Sequence, residues 1–333
     1  TSVVAQSTSS PPDSSLAATA GGASVGSSSS SSGRGKTAAP ASDSPSPSTS
    51  LAAAAPSSSA SPSPSPAAST SSNSCKKGVG YNDAKFTTQL SICWAYDWSS
   101  AGGAGLREGA RYVPMLWGPK QLDGWTDNAK KAIAAGATHV LGFNEPDLPE
   151  QANLSPGLAA QLWKDHVEPL AGSAKLVSPA VTNGLKLDNG TSMGVPWLKE
   201  FLDACAGCTV DAVALHWYDS AGNTAYFTSY LEDAHSTLNK PIWLTEFMGT
   251  GTPDEQKTFV EFAVPWLEKQ DWIERYAAFG PSLRPLLPRS VDRALTPTLA
   301  PLAGDFLDNP VAEFIASDDG SLNDLGKAYS NAK

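Results

Sequence analysis

From residue 75 onward the chain alternates between two hydrophobic periods. Short apolar or β-branched runs of strand length fall at 77–81, 92–98, 111–117, 139–144, 174–181, 210–218, 242–247 and 273–279. Between them apolar residues recur at helical spacing. The clearest helix follows the seventh run: Thr252, Pro253 and Glu255 read as an N-cap, a first-turn proline and a capping box. Phe259, Phe262, Ala263, Trp266 and Leu267 then form one apolar stripe, with Pro265 as a kink site. A second helix opens at Ser155-Pro156 and carries Ala159, Leu162, Trp163, His166 and Leu170 on one face, His166 as a packed residue and not a ligand.

Eight strand–helix repeats in about 260 residues predict an α/β chain folded as a (β/α)8 TIM barrel. The rival, an open doubly wound sheet, calls for a glycine-rich phosphate loop after the first strand. Here that strand gives only Gly78-Val79-Gly80-Tyr81, followed by Asn82 and Asp83. In a barrel the active residues sit at C-terminal strand ends, and the unusual residues collect there: Tyr81, Asp97, Trp98, Trp117, Asn144, Glu145, His216, Trp217, Tyr218, Glu246 and Phe247. Aromatic rings beside two strand-end glutamates suit a sugar cleft, with stacking faces for pyranose rings and carboxyl groups for hydrolysis. A strand-end glutamate can equally be one half of a structural ion pair. Two of them in matching positions weigh against that.

Composition divides the chain. Residues 1–74 contain no aromatic residue and are mostly Ser, Ala, Pro, Thr and Gly, so they cannot bury a core. They read as a disordered Ser/Thr/Pro-rich stalk bearing O-linked sugar, or as a plain linker, ahead of a hydrolase domain at 75–333. Asp13 and Asp43 balance Arg34 and Lys36, so the net charge of -10 lies beyond residue 74. An acidic domain with a pI near 4.9 excludes nucleic acid and anionic membranes as partners. A neutral substrate and a monomer are expected.

No run approaches the ~18 apolar residues of a membrane span. Thr1 implies a signal peptide removed or left out, and the C-terminus lacks a lipid-anchor tail. A disulfide is expected between Cys205 and Cys208, with Cys75 and Cys93 as a second pair; one CxxC and four scattered histidines make no zinc site. Asn153 and Asn189 head N-glycosylation sequons, the first weakened by Pro156. The whole points to a secreted, extracellular or cell-wall protein with no cofactor. Gly22-Ala23-Ser24-Val25-Gly26 matches a nucleophile elbow without its strand and helix. Gly102-Gly103-Ala104-Gly105 lacks the context and lysine of a phosphate loop.

The segments Gly142-Phe143-Asn144-Glu145-Pro146-Asp147, Arg111-Tyr112-Val113-Pro114-Met115-Leu116-Trp117-Gly118, Ala214-Leu215-His216-Trp217-Tyr218 and Trp243-Leu244-Thr245-Glu246-Phe247 together resemble the fungal glycoside hydrolases of family 128. That resemblance spans roughly residues 76–280 and resumes near 308–330. It implies retaining, endo-acting hydrolysis of β-1,3-glucan, with Glu145 at the fourth strand end as acid/base and Glu246 at the seventh as nucleophile. By the same resemblance Asn144 bonds the sugar 2-hydroxyl and His216 or Tyr218 orients Glu246. Trp117, Trp217 and Phe247 are candidate subsite walls, with core packing as the alternative reading of the two tryptophans. A non-catalytic wall glucan-binding protein, or a barrel hydrolase for xylan or mannan, is the alternative. Residues 281–307 depart from the family pattern with five prolines and three arginines. They read as a retained intron or gene-model error, or as a surface loop that could obstruct the cleft.

Overall fold

A computed structural model describes residues 75–279, 314 and 320–333; the expectations for 1–74 and 281–307 lie outside them. The described strands are β1 (Lys77–Gly80), β2 (Trp94–Tyr96), β3 (Arg111–Tyr112), β4 (His139–Leu141), β5 (Lys175–Val181), β6 (Ala212–Ser220), β7 (Ile242–Thr250) and β8 (Ile273–Phe279). All pair in parallel in the order β3-β2-β1-β8-β7-β6-β5-β4. Beyond β3 the chain bridges Met115 to Leu141 in parallel, and Leu116 and Leu141 exchange bonds across the seam with Leu141 and Pro114. The sheet thus curls back on itself, as the strand count predicts for a TIM-like α/β chain. Pro114 has no N–H to give, which cuts the expected 111–117 strand to two residues.

The helices are α1 (Trp125–Ala134), α2 (Pro156–Leu162), α3 (Gly194–Ala204), α4 (Thr224–Leu238), α5 (Pro253–Lys269) and α6 (Asp324–Asn331). Thr252 and Glu255 close the capping box of α5, and the helix runs on through Pro265. Its buried stripe is Phe259, Val260, Ala263, Val264 and Leu267. Phe262, expected on that stripe, is 41% exposed; three residues after Phe259 it lies on the far side of a stripe that also takes in Val260 and Val264. The second helix is shorter than its apolar pattern, because the chain passes through a π turn at Trp163–Val167 and a 3-10 turn at Glu168–Leu170.

Alternation along the strands separates two packed regions. Trp94, Tyr96, Val113, Met115, Leu141, Val177, Ala212, Ala214, Trp243 and Ala277 fill the inside of the curl. Residues of opposite parity, such as Val213, Leu215, Trp217, Ile242 and Leu244, pack outward with the helices. The Lys77 ammonium reaches the carbonyls of Tyr329 at 2.8 Å and Ala332 at 2.5 Å, countering the C-terminal dipole of α6. Both disulfides form, Cys75 with Cys93 and Cys205 with Cys208. Among the described residues no helix is long and apolar enough to cross a membrane.

Candidate active site

The two glutamates reach the site by different local devices. After β4 the chain continues extended along β5: Ala180 N donates to Phe143 O and Glu145 N to Ala180 O, both at 2.8 Å. Glu145 then turns in the left-handed region at φ 40°, costly for a residue with a Cβ. Buried Asp147 fixes that turn by accepting from Thr182 Oγ1 at 2.7 Å, Thr182 N at 3.1 Å and Gly194 N at 2.8 Å.

Glu246 depends on a slip in register. Leu215 pairs with Leu244, but His216 pairs with Glu246, so Thr245 is one residue extra on β7. Strict alternation from inward Trp243 would send Glu246 outward with Leu244. The extra residue turns it inward, as bulges beside active sites do. Tyr96 holds the bulge by donating to the Thr245 carbonyl at 2.9 Å.

The carboxyl groups then meet around one imidazole. His216 is fully buried, with Nδ1 2.9 Å from Glu145 Oε1 and 3.5 Å from Glu246 Oε2. Glu246 accepts from Trp98 Nε1 at 2.7 Å and Tyr218 OH at 2.6 Å, with the Tyr96 hydroxyl at 3.4 Å. Ligand-type atoms of Glu145, His216 and Glu246 all lie within 4.8 Å of one another. They could gather a divalent cation only by giving up hydrogen bonds that His216, Trp98 and Tyr218 already make.

Burial shifts the titration of this cluster. It raises Glu145 above the usual carboxyl range, and nearby Glu246 adds to the rise while His216 opposes it. For His216, burial works downward, but the charges of Glu246 and Glu145 outweigh it and leave the imidazole above its ordinary value. Burial, then Glu246, raises the hydroxyls of Tyr218 and Tyr96 far up, which keeps both as donors.

The structure thus gathers Glu145, Glu246, His216 and Tyr218 in one cluster. Asn144 adjoins them, 4% exposed, its Nδ2 donating to Gln151 at 3.2 Å and its buried Oδ1 without a hydrogen-bond partner. Trp117 takes Asn144 N on its carbonyl at 2.8 Å and leaves its ring half-buried. Trp217 and Phe247 do not reach the cleft, contrary to expectation. Each follows an inward residue, so each turns out to the helix layer; Trp217 stacks on Phe259 at 5.2 Å, and Phe247 meets Phe227 at 5.9 Å. Sequence reasoning left out Tyr96, and placed Trp98 at a strand end without giving it a role at Glu246. Their signal was the aromatic-and-carboxyl cluster Tyr96-Asp97-Trp98 at the end of β2.

The family model described as glycosyl hydrolase catalytic core matches residues 74–296. The chain belongs to the glycosyl hydrolase catalytic core family. Solved structures agree with the motif resemblance to family 128. A subgroup III curdlan-specific exo-beta-1,3-glucanase of this family from Blastomyces gilchristii, in complex with glucose, is 33% identical. That match covers 77% of this chain and 97% of that one at a TM-score of 0.61. A subgroup II endo-beta-1,3-glucanase from Sorangium cellulosum is 31% identical over 78% of this chain and 99% of that one, TM-score 0.61. A subgroup I endo-beta-1,3-glucanase variant from Amycolatopsis mediterranei, in complex with laminaripentaose, is 29% identical over 78% and 100%, TM-score 0.59. Alkali-sensitive linkage protein 1 of Schizosaccharomyces pombe is 33% identical over 217 residues, 61% of this chain. The match spans only 37% of that relative's length.

Proposed function

We propose that this glycosidase cleaves β-1,3-glucan internally and with retention, Glu246 as nucleophile and Glu145 as acid/base. The observation that carries the reading is the pair of strand-end carboxyl groups, with atoms within 4.8 Å and bridged by His216. Retaining hydrolases hold their carboxyls ~5–5.5 Å apart, whereas inverting ones leave ~6.5–9.5 Å for a water. The β-1,3-glucanase activities of the family 128 structures support the substrate.

In the first step a Glu246 oxygen attacks the anomeric carbon, and Glu145 gives its proton to the departing glycosidic oxygen. The glycosyl–enzyme ester removes the charge of Glu246, which lowers the acidity barrier of Glu145 and makes it a base. Glu145 next takes a proton from water as the water oxygen attacks the same carbon, and Glu246 leaves as a carboxylate. Burial raises Glu145 above the usual carboxyl range, which favours the protonated form its opening role needs. Tyr218, Trp98 and His216 fix the two Glu246 oxygens. Asn144, with a buried amide oxygen to spare, is assigned to the sugar 2-hydroxyl, and the half-buried Trp117 ring to a subsite wall.

The Ser/Thr/Pro-rich composition of 1–74 and the two disulfides support a secreted or cell-wall setting with a glycosylated stalk. Reducing-sugar release by the full chain from soluble β-1,3-glucan, xylan and mannan, beside Glu246→Ala, tests the reading. Release from β-1,3-glucan alone, as a ladder of oligosaccharides and lost in the variant, is expected. Glucose as the sole early product would make the enzyme exo-acting. Glucan binding without turnover would make it a wall-binding protein.

A further inference from the structure

Trp98 and Glu145 are the two residues, other than asparagine and glycine, with positive φ among those described. The strain at Glu145 belongs to the acid itself. That at Trp98, φ 55°, calls for a separate account, because such a conformation persists only where the surroundings over-determine it.

On its ring side Trp98 packs between Tyr96 at 5.0 Å and Phe279 at 5.7 Å. It lies over Gly80, where a Cβ would stand 2.8 Å from the indole. On its backbone side the neighbours Asp97 and Ser99 are tied together by one phenol. Tyr112 OH lies 2.7 Å from Asp97 Oδ1 and 2.6 Å from the Ser99 carbonyl. One hydroxyl proton cannot serve both oxygens. Tyr112 is the donor toward either oxygen, and burial pushes Asp97 above the usual carboxyl range while the bond from Tyr112 works against that rise. The glycine run at 102–105 closes over this pair: a Cβ on Gly102 would fall 2.5 Å from Asp97 Oδ2, and one on Gly103 2.8 Å from Tyr112 Cβ. Gly103 N also donates to Tyr81 OH at 3.0 Å, and burial pushes Tyr81 up to about 12.

We infer that Asp97 and Tyr112, roofed by Gly102 and Gly103, are positioning residues for the nucleophile: they hold Trp98 left-handed so that its Nε1 aims the carboxylate of Glu246. Among the described hydrogen bonds of Asp97 and Tyr112 none goes to Glu246; the link runs through the 2.7 Å bond from Trp98. The inference rests on Glu246 being the nucleophile.

The test measures covalent trapping by an activated 2-deoxy-2-fluoro β-glucoside, together with kcat and KM on laminari-oligosaccharides. Trapping forms the Glu246–C1 bond and expels the activated leaving group, so it reports the nucleophile without help from the acid. Wild type, Trp98→Phe, Tyr112→Phe, Asp97→Asn and the Trp98→Phe/Tyr112→Phe double variant are compared. Trp98→Phe should slow trapping roughly tenfold to a hundredfold, the value of one hydrogen bond to a charged group. Tyr112→Phe and Asp97→Asn should slow it about fivefold through kcat, with KM within about twofold. The double variant should be no slower than Trp98→Phe alone, because Tyr112 acts through Trp98. Wild-type trapping rates in Tyr112→Phe and Asp97→Asn, or additive losses in the double variant, would overturn the proposal. If Tyr112→Phe fails to fold, Asp97→Asn, which keeps the side-chain shape, decides alone. If wild type and Glu246→Ala are equally inert to the reagent while glucan is still hydrolysed, the nucleophile assignment falls and takes this inference with it.

Discussion

Replacing Glu145 with Gln should separate the proton of this site from its shape. The amide has the carboxyl's outline, and its oxygen can still accept from His216 Nδ1, 2.9 Å away in the wild type. What it lacks is a proton to transfer. With carboxyl oxygens within 4.8 Å, two ionised groups would repel by about 3.5 kcal/mol at an effective dielectric constant of ~20. That repulsion favours a proton on one member of the pair, and burial raises Glu145, the member assigned as acid. A departing sugar alcohol then leaves without protonation, at a cost of about 10²–10⁴ in rate, or roughly 2.7–5.5 kcal/mol of barrier. An aryl β-glycoside with an acidic phenol needs little such help. For it the glycosylation step should fall less than about tenfold, while hydrolysis of the intermediate, which needs the base, becomes slow and gives a burst of phenol. Stopped-flow release of nitrophenol beside steady-state cleavage of laminari-oligosaccharides reads both. Equal losses on the two substrates, with no burst, would refute the assignment of Glu145.

Because Glu145 is raised, the alkaline limb of kcat/KM should lie above the usual carboxyl range; His216→Gln removes a group that opposes the rise, so the limb should move to still higher pH, and an unmoved or lowered limb contradicts this. Glu145 and His216 both titrate above their ordinary values of 4.5 and 6.5 when folded, so their stabilisation is full below those values and lost as pH rises through the folded ones. Melting curves should accordingly show a steeper decline with pH for the wild type than for the Glu145→Gln/His216→Gln double variant. The Cys75–Cys93 bridge spans 18 residues and Cys205–Cys208 spans 3; removing the first should cost about 3 kcal/mol and the second about 2 kcal/mol in denaturant titrations, and the reverse order would refute the loop argument. Asn189 stands exposed beside left-handed Gly190, whereas Ser155 of the other sequon is engaged as the N-cap of α2 ahead of Pro156. Mass spectrometry of protein from a glycosylating host should find glycan on Asn189 and none on Asn153.

Much of the scaffold could be read from the chain because its signals are local. Strand lengths, the capping box at Thr252 and the two glutamates among aromatics each sit within a few residues. The facing of side chains was harder. Trp217 and Phe247 share their motifs with His216 and Glu246, but alternation sends them to the other side of the sheet. Whether Glu246 points inward depends on the unpaired Thr245, which shows only in the register against β6. The bonds of Trp98 and Tyr96 to Glu246 were not foreseen because they are contacts across 148 and 150 positions of sequence. The local cluster Tyr96-Asp97-Trp98 could mark a site but not name the partner 148 or 150 positions away. The outward position of Phe262 similarly reflects where β7 and α4 lie against α5, not the helix period alone.

The central claim is that the glutamates act by double displacement, and the anomeric form of the first product tests it most directly. Proton NMR during early hydrolysis of a laminari-oligosaccharide should show the β-anomer accumulating first, with the α-anomer appearing only as mutarotation proceeds. The signal should be absent with Glu246→Ala. An α-anomer formed first would mean inversion, and the reading of Glu246 as nucleophile would be wrong.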